Sequence, residues 1–180
     1  MKASLFAGSG IAIVGFIVFA TLLVCACVSD VQRRRIPNGV AAFLAATGIA
    51  YSVAASTTPG RALLASAGGL LLGLVLWLPL YGVRWLGAGD VKLFAAAGAW
   101  LGPARTLEGA LIGAFAGGVL AIVWMLFMYG LNGTAATAAM SIANPRNIAN
   151  HGVDGQSRRA IPYGVALAIG AMTAALLPLP

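Results

Sequence analysis

Three long stretches of the chain contain no charged side chain, and they constrain the fold more than any other feature. Residues 3–29, 36–60 and 62–83 each lack Asp, Glu, Lys and Arg. A helix needs about 20 apolar residues to cross the hydrocarbon core of a bilayer. Only 8% of the 180 residues are charged, whereas about a quarter are charged in a typical soluble domain. The pattern excludes a water-soluble globule and predicts an integral membrane protein.

The apolar runs and the turn sequences between them predict an all-α, polytopic bundle of about six transmembrane helices. The expected helices cover roughly residues 9–28, 38–56, 62–83, 90–102, 109–131 and 161–177. The fourth helix is too short to cross a bilayer at full length, so we expect it to be tilted, partly interfacial or buried in the bundle. Gly109, Gly113 and Gly117 recur every four residues, a spacing that lets helices pack closely. Residues 132–159 are expected to form a polar loop with room for one short amphipathic segment.

The basic residues indicate an orientation for this bundle. With six crossings, alternate loops share a side, and eight of the eleven basic residues then fall on one side. That side carries Arg33, Arg34, Arg35, Arg84, Lys92, Arg146, Arg158 and Arg159, and the other carries Lys2, Arg61 and Arg105. Because Lys and Arg are enriched in cytoplasmic loops, the first side is predicted to be cytoplasmic and both termini to lie outside the cytoplasm. The basic residues are too scattered to follow a nucleic-acid backbone, so no nucleic-acid partner is expected.

Two of the four acidic residues are predicted to lie at cytoplasmic helix ends. Asp30 ends the first helix and Asp90 begins the fourth. Asp154 lies in the polar loop, and Glu108 is expected to form an interfacial ion pair with Arg105. Ordinary roles are open to the first two acids, since Asp30 can pair with the arginines that follow it and Asp90 can cap a helix.

The residues around Asp90 favour a functional role. Gly87-Ala88-Gly89 precedes the acid, and glycine allows another chain to approach the backbone closely. A helix cap does not need two glycines, whereas an extended substrate lying beside the carboxylate does.

The cysteines, the histidine and the tryptophans are not expected to take part in metal binding or catalysis. Cys25 and Cys27 are separated by one residue, whereas paired zinc ligands are usually separated by at least two, so no metal or cofactor is expected. His151 is the only histidine and is expected to be solvated in the polar loop. The tryptophans lie mostly near predicted helix ends and are expected to anchor the helices at the membrane interface. They are Trp77, Trp85, Trp100 and Trp124.

Three motifs together resemble one family. Gly87-Ala88-Gly89-Asp90-Val91-Lys92 resembles the GxGD motif of intramembrane aspartic proteases, in the form used by type IV prepilin peptidases. Asp30 followed by Ile36-Pro37-Asn38 resembles the first-aspartate motif of that family, and Ile161-Pro162-Tyr163-Gly164 resembles the segment that opens its last helix. The motifs occur in the family's order and cover almost the whole chain.

The resemblance implies that Asp30 and Asp90 are catalytic. The residues that it implies for substrate positioning are Ile36, Pro37, Asn38, Gly87, Gly89 and Lys92. It further implies a multi-pass protein of the bacterial cytoplasmic membrane that acts at the cytoplasmic face. The substrates of the family are prepilins and pseudopilins, from which a short basic leader is removed, typically after a glycine.

Many members also carry an N-terminal domain with paired CxxC zinc ligands, which methylates the product. The present chain contains no CxxC, so residues 1–180 are expected to form a single integral-membrane peptidase domain without a methyltransferase domain. The resemblance is therefore to the short branch that serves Flp (tight-adherence) pili.

Two other classes of function stay open from the sequence. A small transporter would use Asp30 and Asp90 to relay protons or bind a cation. Under this hypothesis, the acids are expected to lie near the bilayer midplane, beside broken helices. A non-catalytic pilus-assembly factor would keep only the bundle. A separation of the two carboxylates above about 8 Å, with no motion that closes it, would count heavily against the peptidase hypothesis, because both must reach one water molecule.

Overall fold

The computed structural model describes residues 10–33, 36–83, 86–143 and 163–177. Every regular element in these ranges is an α-helix, which confirms the predicted all-α class. The helices are α1 (Gly10–Arg33), α2 (Asn38–Ala54), α3 (Pro59–Gly82), α4 (Ala88–Ala143) and α5 (Tyr163–Leu176). Within the described residues, α1, α3 and the Ala88–Val123 part of α4 are long and apolar enough to cross a membrane, whereas α2 and α5 are apolar but shorter.

Helix α4 bends sharply at Gly102, whose φ of +69° is a left-handed value that glycine adopts without steric cost. A Cβ atom at Gly98 would lie 3.2 Å from Oγ1 of Thr106. Residues eight positions apart in a straight helix are separated by about 12 Å along its axis, so the two arms of α4 fold against each other here. We call residues 88–101 the first arm and residues 103–143 the second arm. The sequence predicts two separate helices in this region, and the structure instead keeps the chain helical across the bend.

Two hydroxyl groups stabilise this bend inside the bundle. Pro103 has no backbone N–H, so the carbonyl of Ala99, four residues earlier, loses its usual helical donor. The Ser66 hydroxyl on α3 donates a hydrogen bond to that carbonyl at 2.7 Å, and the Ser52 hydroxyl on α2 donates to it at 3.4 Å. An unsatisfied carbonyl is costly in hydrocarbon, so these serines allow a proline bend within a membrane protein.

The first arm of α4 forms the centre of the bundle. Every residue from 93 to 101 is buried, and α4 contacts all four other helices. Gly73 on α3 permits close approach, because a Cβ atom there would lie 3.0 Å from Cα of Ala95. A helix segment that is apolar on all sides can be buried completely among its neighbours. Of the three placements expected for this short helix, the structure therefore has it buried in the bundle.

The second arm packs against α5 through the predicted glycine series. A Cβ atom at Gly109 would lie 3.2 Å from the carbonyl oxygen of Gly170, and one at Gly117 would lie 2.9 Å from the ring of Tyr163. Gly113 between them faces Leu167 in the same way. The prediction that these glycines allow close helix packing is confirmed.

The polar loop predicted for residues 132–159 is wrong in its first part. Helix α4 continues to Ala143, so residues 132–143 are helical rather than loop. The earlier end was predicted because Asn132 and the polar residues after it break the apolar run. His151, Asp154 and the rest of the predicted loop lie outside the described residues.

The prediction of interfacial tryptophans is wrong for Trp77 and Trp100, which are only 7% and 3% exposed. Trp100 lies over Gly48, where the missing Cβ leaves room for the indole. Its ring stacks on Tyr51 with centroids 5.1 Å apart, and its Nε1 donates to the Leu44 carbonyl at 2.8 Å. Because the indole N–H has a partner, the side chain can be buried. The other two tryptophan side chains lie outside the described part of the chain.

Arg105 is also placed differently from the expectation. The sequence predicts an interfacial residue, but Arg105 is 5% exposed, and its Nη1 donates to the carbonyl of Ala175 at 3.0 Å. The predicted partner Glu108 does interact with it electrostatically. Ala175 lies at the C-terminal end of α5, where carbonyls have no donor within the helix. The guanidinium group satisfies such a carbonyl, which explains its burial.

Candidate active site

Asp30 is the last residue of a buried stripe on α1. The buried positions of this helix are Ala12, Gly15, Phe19, Leu23, Ala26 and Asp30. Their spacing of three and four residues places them on one face, which packs against the bundle. Asp30 is 8% exposed and lies one turn before the helix ends at Arg33. The register of α1 therefore directs a carboxylate into the bundle near its end.

Asp90 lies in the first turn of α4 and is partly buried. Gly87 immediately precedes the helix, and its carbonyl accepts a hydrogen bond from the backbone N–H of Val91 at 3.3 Å. The backbone of Gly87 lies next to the Asp90 carboxylate. A negative charge is favourable at a helix N-terminus. Asp90 is therefore the third residue of the helix, and Gly87, not Asp90, occupies the capping position.

The two carboxylates meet at Gly164, the second residue of α5. The backbone N–H of Gly164 donates to Oδ2 of Asp30 at 3.2 Å. A Cβ atom at Gly164 would lie 2.7 Å from that oxygen and 3.1 Å from Oδ1 of Asp90. These two distances, 2.7 and 3.1 Å, add up to 5.8 Å, which is the upper limit for the separation of the two oxygens. One water molecule or one peptide carbonyl can bridge such a gap.

A cavity of about 280 Å³ opens beside this pair. It is lined by Asp30, Ile36, Asn38, Gly87, Ala88, Gly89, Asp90 and Lys92. The structure thus brings together all the site residues expected from the sequence except Pro37. Pro37 instead precedes α2 and accepts a hydrogen bond from the backbone N–H of Val40 at 3.0 Å.

The glycines and polar residues of the cavity have identifiable contacts. A Cβ atom at Gly89 would lie 3.2 Å from Cβ of the buried Ile36, so this glycine lets the segment before α2 approach α4. A Cβ atom at Gly87 would lie 3.2 Å from Oδ2 of Asp90. The exposed Lys92 donates through Nζ to Oδ1 of Asn38 at 3.1 Å, which links the first turns of α2 and α4.

Gly164 is the site residue that the sequence reasoning missed. It appeared only as the last residue of the Ile161–Gly164 motif. One signal in the sequence could have indicated Gly164. It is a small residue near a predicted helix start, within a motif that resembles one of the aspartic peptidase family. Its place between two acids that are distant in sequence depends on the tertiary fold.

The chemistry of the cavity is that of two carboxylates, an amine and an amide. Within the described residues, no group of three or more His, Cys, Asp and Glu side chains could hold a metal ion. Two carboxyl groups at this separation do not both ionise readily, so they tend to share one proton. Such a pair can deliver a proton with one member and accept a proton with the other.

An apolar helical bundle with two carboxylates facing each other at helix ends is typical of a membrane-embedded aspartic peptidase. The model of the type IV leader peptidase family matches residues 17–122, more than half of the chain. The chain therefore belongs to the type IV leader peptidase family. The matched region includes both Asp30 and Asp90.

Two relatives illustrate the similarity. The chain is 36% identical over 124 residues to a prepilin leader peptidase/N-methyltransferase of Burkholderia pseudomallei (strain 1026b), a match that covers 67% of this chain and 40% of that protein. It is 36% identical over 97 residues to a protein of the same description from Klebsiella pneumoniae, which covers 52% of this chain and 42% of that protein. The matches thus span less than half of these relatives. No solved structure matches the chain.

Proposed function

We propose that this chain is a membrane-embedded aspartic endopeptidase that removes the short basic leader from prepilins and pseudopilins of the Flp type. Cleavage takes place after a glycine, at the cytoplasmic face of the bacterial inner membrane. The observation that carries the proposal is the convergence of the Asp30 and Asp90 carboxylates on Gly164, with their oxygens no more than 5.8 Å apart, the sum of 2.7 and 3.1 Å. Family membership and the cavity beside the carboxylates support it.

The proposed reaction is hydrolysis by a carboxyl pair that shares one proton. The ionised carboxylate accepts a proton from water, whose oxygen forms a bond to the carbonyl carbon of the scissile peptide. The protonated carboxyl polarises the carbonyl oxygen. The C–N bond then breaks, and the leaving nitrogen takes up a proton to become an amine. The pair titrates as a unit, so the acid and base roles belong to Asp30 and Asp90 together.

The surroundings of the pair suit a peptide substrate. Gly87 and Ala88 are exposed at the cavity, so an extended strand can approach their backbone for main-chain pairing. Asn38 and Lys92 offer an amide and an amine within the same cavity. We propose that these groups bind the substrate backbone next to the scissile bond.

The helix ends that meet at the site support the proposed orientation. Asp30 near the end of α1, Asn38 at the start of α2 and Asp90 at the start of α4 line one cavity, and the exposed Arg33 and Lys92 lie at this end. Because Lys and Arg are enriched at the cytoplasmic ends of membrane helices, we propose that this end of the bundle faces the cytoplasm. A leader retained in the cytoplasm would then reach the carboxylates directly.

The positions of the acids favour a peptidase over a transporter. A transporter of the expected kind places its acids beside a helix break near the middle of the membrane. The break in α4 lies at Gly102, twelve residues after Asp90 and therefore about 18 Å along the helix. The break is stabilised by the serine hydroxyls, whereas the two carboxylates lie at helix ends.

The proposal is tested by co-expressing the chain with an Flp-type prepilin and following loss of the leader by gel shift. We expect Asp30→Asn and Asp90→Asn each to lower the cleavage rate by at least about 100-fold. Glu108→Gln removes a carboxylate from a different part of the bundle and is expected to cleave normally. Normal cleavage by either Asn variant refutes the carboxyl pair, and a wild-type chain that cleaves no prepilin refutes the peptidase function.

The substrate branch is tested in the same assay. A prepilin of another type IV class, and an Flp-type prepilin whose glycine before the cleavage site is replaced by valine, are compared with the native precursor. We expect slower cleavage of both. Equal rates on all three substrates would refute the proposed specificity while leaving the peptidase activity intact.

A further inference from the structure

A second cavity adjoins the candidate active site. It has a volume of about 300 Å³ and lies between α2, α3 and the first arm of α4. Asn38 and Lys92 line both this cavity and the one that contains the carboxylates. Because Nζ of Lys92 lies 3.1 Å from Oδ1 of Asn38, this hydrogen-bonded pair marks the place where the two cavities meet.

The two cavities differ sharply in polarity. Beyond the shared pair, the second cavity is lined only by two leucines of α3 and by five alanines of α2 and α4. The alanines are Ala41, Ala42, Ala45, Ala95 and Ala96. We call this second cavity the alanine groove. A polar compartment with two carboxylates therefore leads directly into an apolar one.

The alanine groove extends from the active site along α2 and the first arm of α4. Helix α2 begins at Asn38, so Ala45 lies seven residues further on, about 10 Å along the helix. Lys92 lies in the first turns of α4, and Ala96 follows one turn later. Since α2 and α4 both begin at the end of the bundle that holds the carboxylates, the groove extends away from the site along these helices.

The small side chains of the groove suit another helix. Alanine side chains let two helix backbones approach closely, which is a main source of helix association in lipid. Ala41, Ala95 and Ala96 are buried and form the floor, whereas Ala42 is exposed at the opening. An apolar helix can lie over such a floor with its backbone near α2 and α4.

We propose that the alanine groove binds the first turns of the apolar substrate helix that follows the scissile bond. This inference rests on the proposed function, because the occupant is part of the precursor. In such a precursor the polar leader precedes the cleaved bond and the apolar helix follows it. The polar cavity, the Asn38–Lys92 pair and the alanine groove have the same order in space. Continuity between the two cavities thus identifies the occupant by both its polarity and its chain direction.

The test compares two substrates and two variants of the full chain in detergent micelles. One substrate is a prepilin with its leader and apolar helix, and the other is a peptide that spans the cleavage site and stops before the helix. Ala42→Phe places a large side chain at the opening of the groove. Ala114→Phe, at an exposed alanine of the second arm away from the groove, is the matched control.

We expect Ala42→Phe to lower kcat/KM for the prepilin at least about tenfold more than for the short peptide, since blocking an apolar pocket commonly has effects of this size. Ala114→Phe is expected to leave both values unchanged. An equal loss on both substrates, or no loss on the prepilin, refutes the groove as the binding site. A wild-type chain that cleaves neither substrate refutes the proposed function and this inference with it.

A crosslinking measurement keeps the proposal testable if Ala42→Phe does not fold or the peptide is not cleaved. A photoreactive phenylalanine analogue is placed at position 42 or 114 of a chain that carries Asp90→Asn, and the prepilin is added. We expect a crosslink from position 42 to the first turns of the prepilin helix and none from position 114. Crosslinks from position 42 only to lipid, or only to a second copy of the chain, refute the inference.

Discussion

The backbone N–H of Gly164 donates a hydrogen bond to Oδ2 of Asp30 at 3.2 Å, across 134 positions of the chain. This contact ties the start of α5 to the end of α1. Because Oδ1 of Asp90 lies on the same side of the glycine, the missing side chain sets how closely the two carboxylates approach. Gly164 thus binds Asp30 directly and, having no Cβ, leaves room for Asp90 beside it, so we expect it to position the pair.

Replacing Gly164 by alanine is expected to lower kcat by about 100-fold, because displacing a reacting group by an ångström can have an effect of that size. KM is expected to change little, since Gly164 does not line the cavity that receives the peptide. The measurement is steady-state cleavage of a prepilin by the purified variant. Gly118→Ala is the control, because a Cβ atom at Gly118 meets nothing within 4 Å. A normal kcat, or a rise in KM alone, would contradict the positioning role.

Ser66→Ala is expected to destabilise the bundle by about 1–3 kcal/mol, the usual cost of leaving a buried carbonyl without a close donor. Of the two described hydrogen bonds to the Ala99 carbonyl, that from the Ser66 hydroxyl is the shorter, at 2.7 Å, whereas that from the Ser52 hydroxyl is 3.4 Å long. Ser52→Ala should therefore lower the Tm in detergent less than Ser66→Ala does. A larger effect of Ser52→Ala would show that the bend is stabilised differently.

Gly69→Ala is expected to destabilise the protein by about 1–3 kcal/mol through overpacking. The added Cβ would collide with the carbonyl oxygen of Gly98 and lie 2.9 Å from Cα of Gly102, and neither backbone atom can move freely. Gly82→Ala on the same helix has open space and serves as the control. Thermal unfolding of both variants in the same detergent measures the difference. Equal Tm values would mean that α3 and α4 are not in close contact at the bend.

Arg105→Leu is expected to lower stability by about 1–3 kcal/mol, because the carbonyl of Ala175 loses its described side-chain donor. Arg61 is exposed at the start of α3, so Arg61→Leu removes the same charge without a buried contact and is expected to leave the Tm unchanged. Chemical or thermal unfolding of both variants provides the comparison. If both variants behaved alike, the buried hydrogen bond would have no role in stability.

Local sequence patterns were sufficient to locate α1, α2 and α3 and to single out the two acids. Runs without charge predict where α1, α2 and α3 lie, since burying charge in lipid is costly and the signal needs no tertiary information. Asp30 and Asp90 stand out for the same reason. The glycine series at 109, 113 and 117 likewise predicted a packing face that the structure confirms.

Features that depend on a distant partner could not be predicted in this way. The sequence predicts an interfacial Arg105, because it does not show that the carbonyl of Ala175 at the end of α5 binds this side chain. It likewise predicts an interfacial Trp100, because it does not show that Gly48 and the carbonyl of Leu44 contact the indole. In each case the partner lies more than 50 positions away, so only the fold reveals the contact.

The hydrogen bond between Asp30 and Gly164 has a consequence for when the site forms during synthesis of the protein. Translation runs from the N-terminus, so α1 is made well before α5. A nascent chain that has released only α1 to α4 holds both acids but lacks the Gly164 N–H that binds Asp30. The described arrangement of the two carboxylates therefore forms only after α5 has joined the bundle.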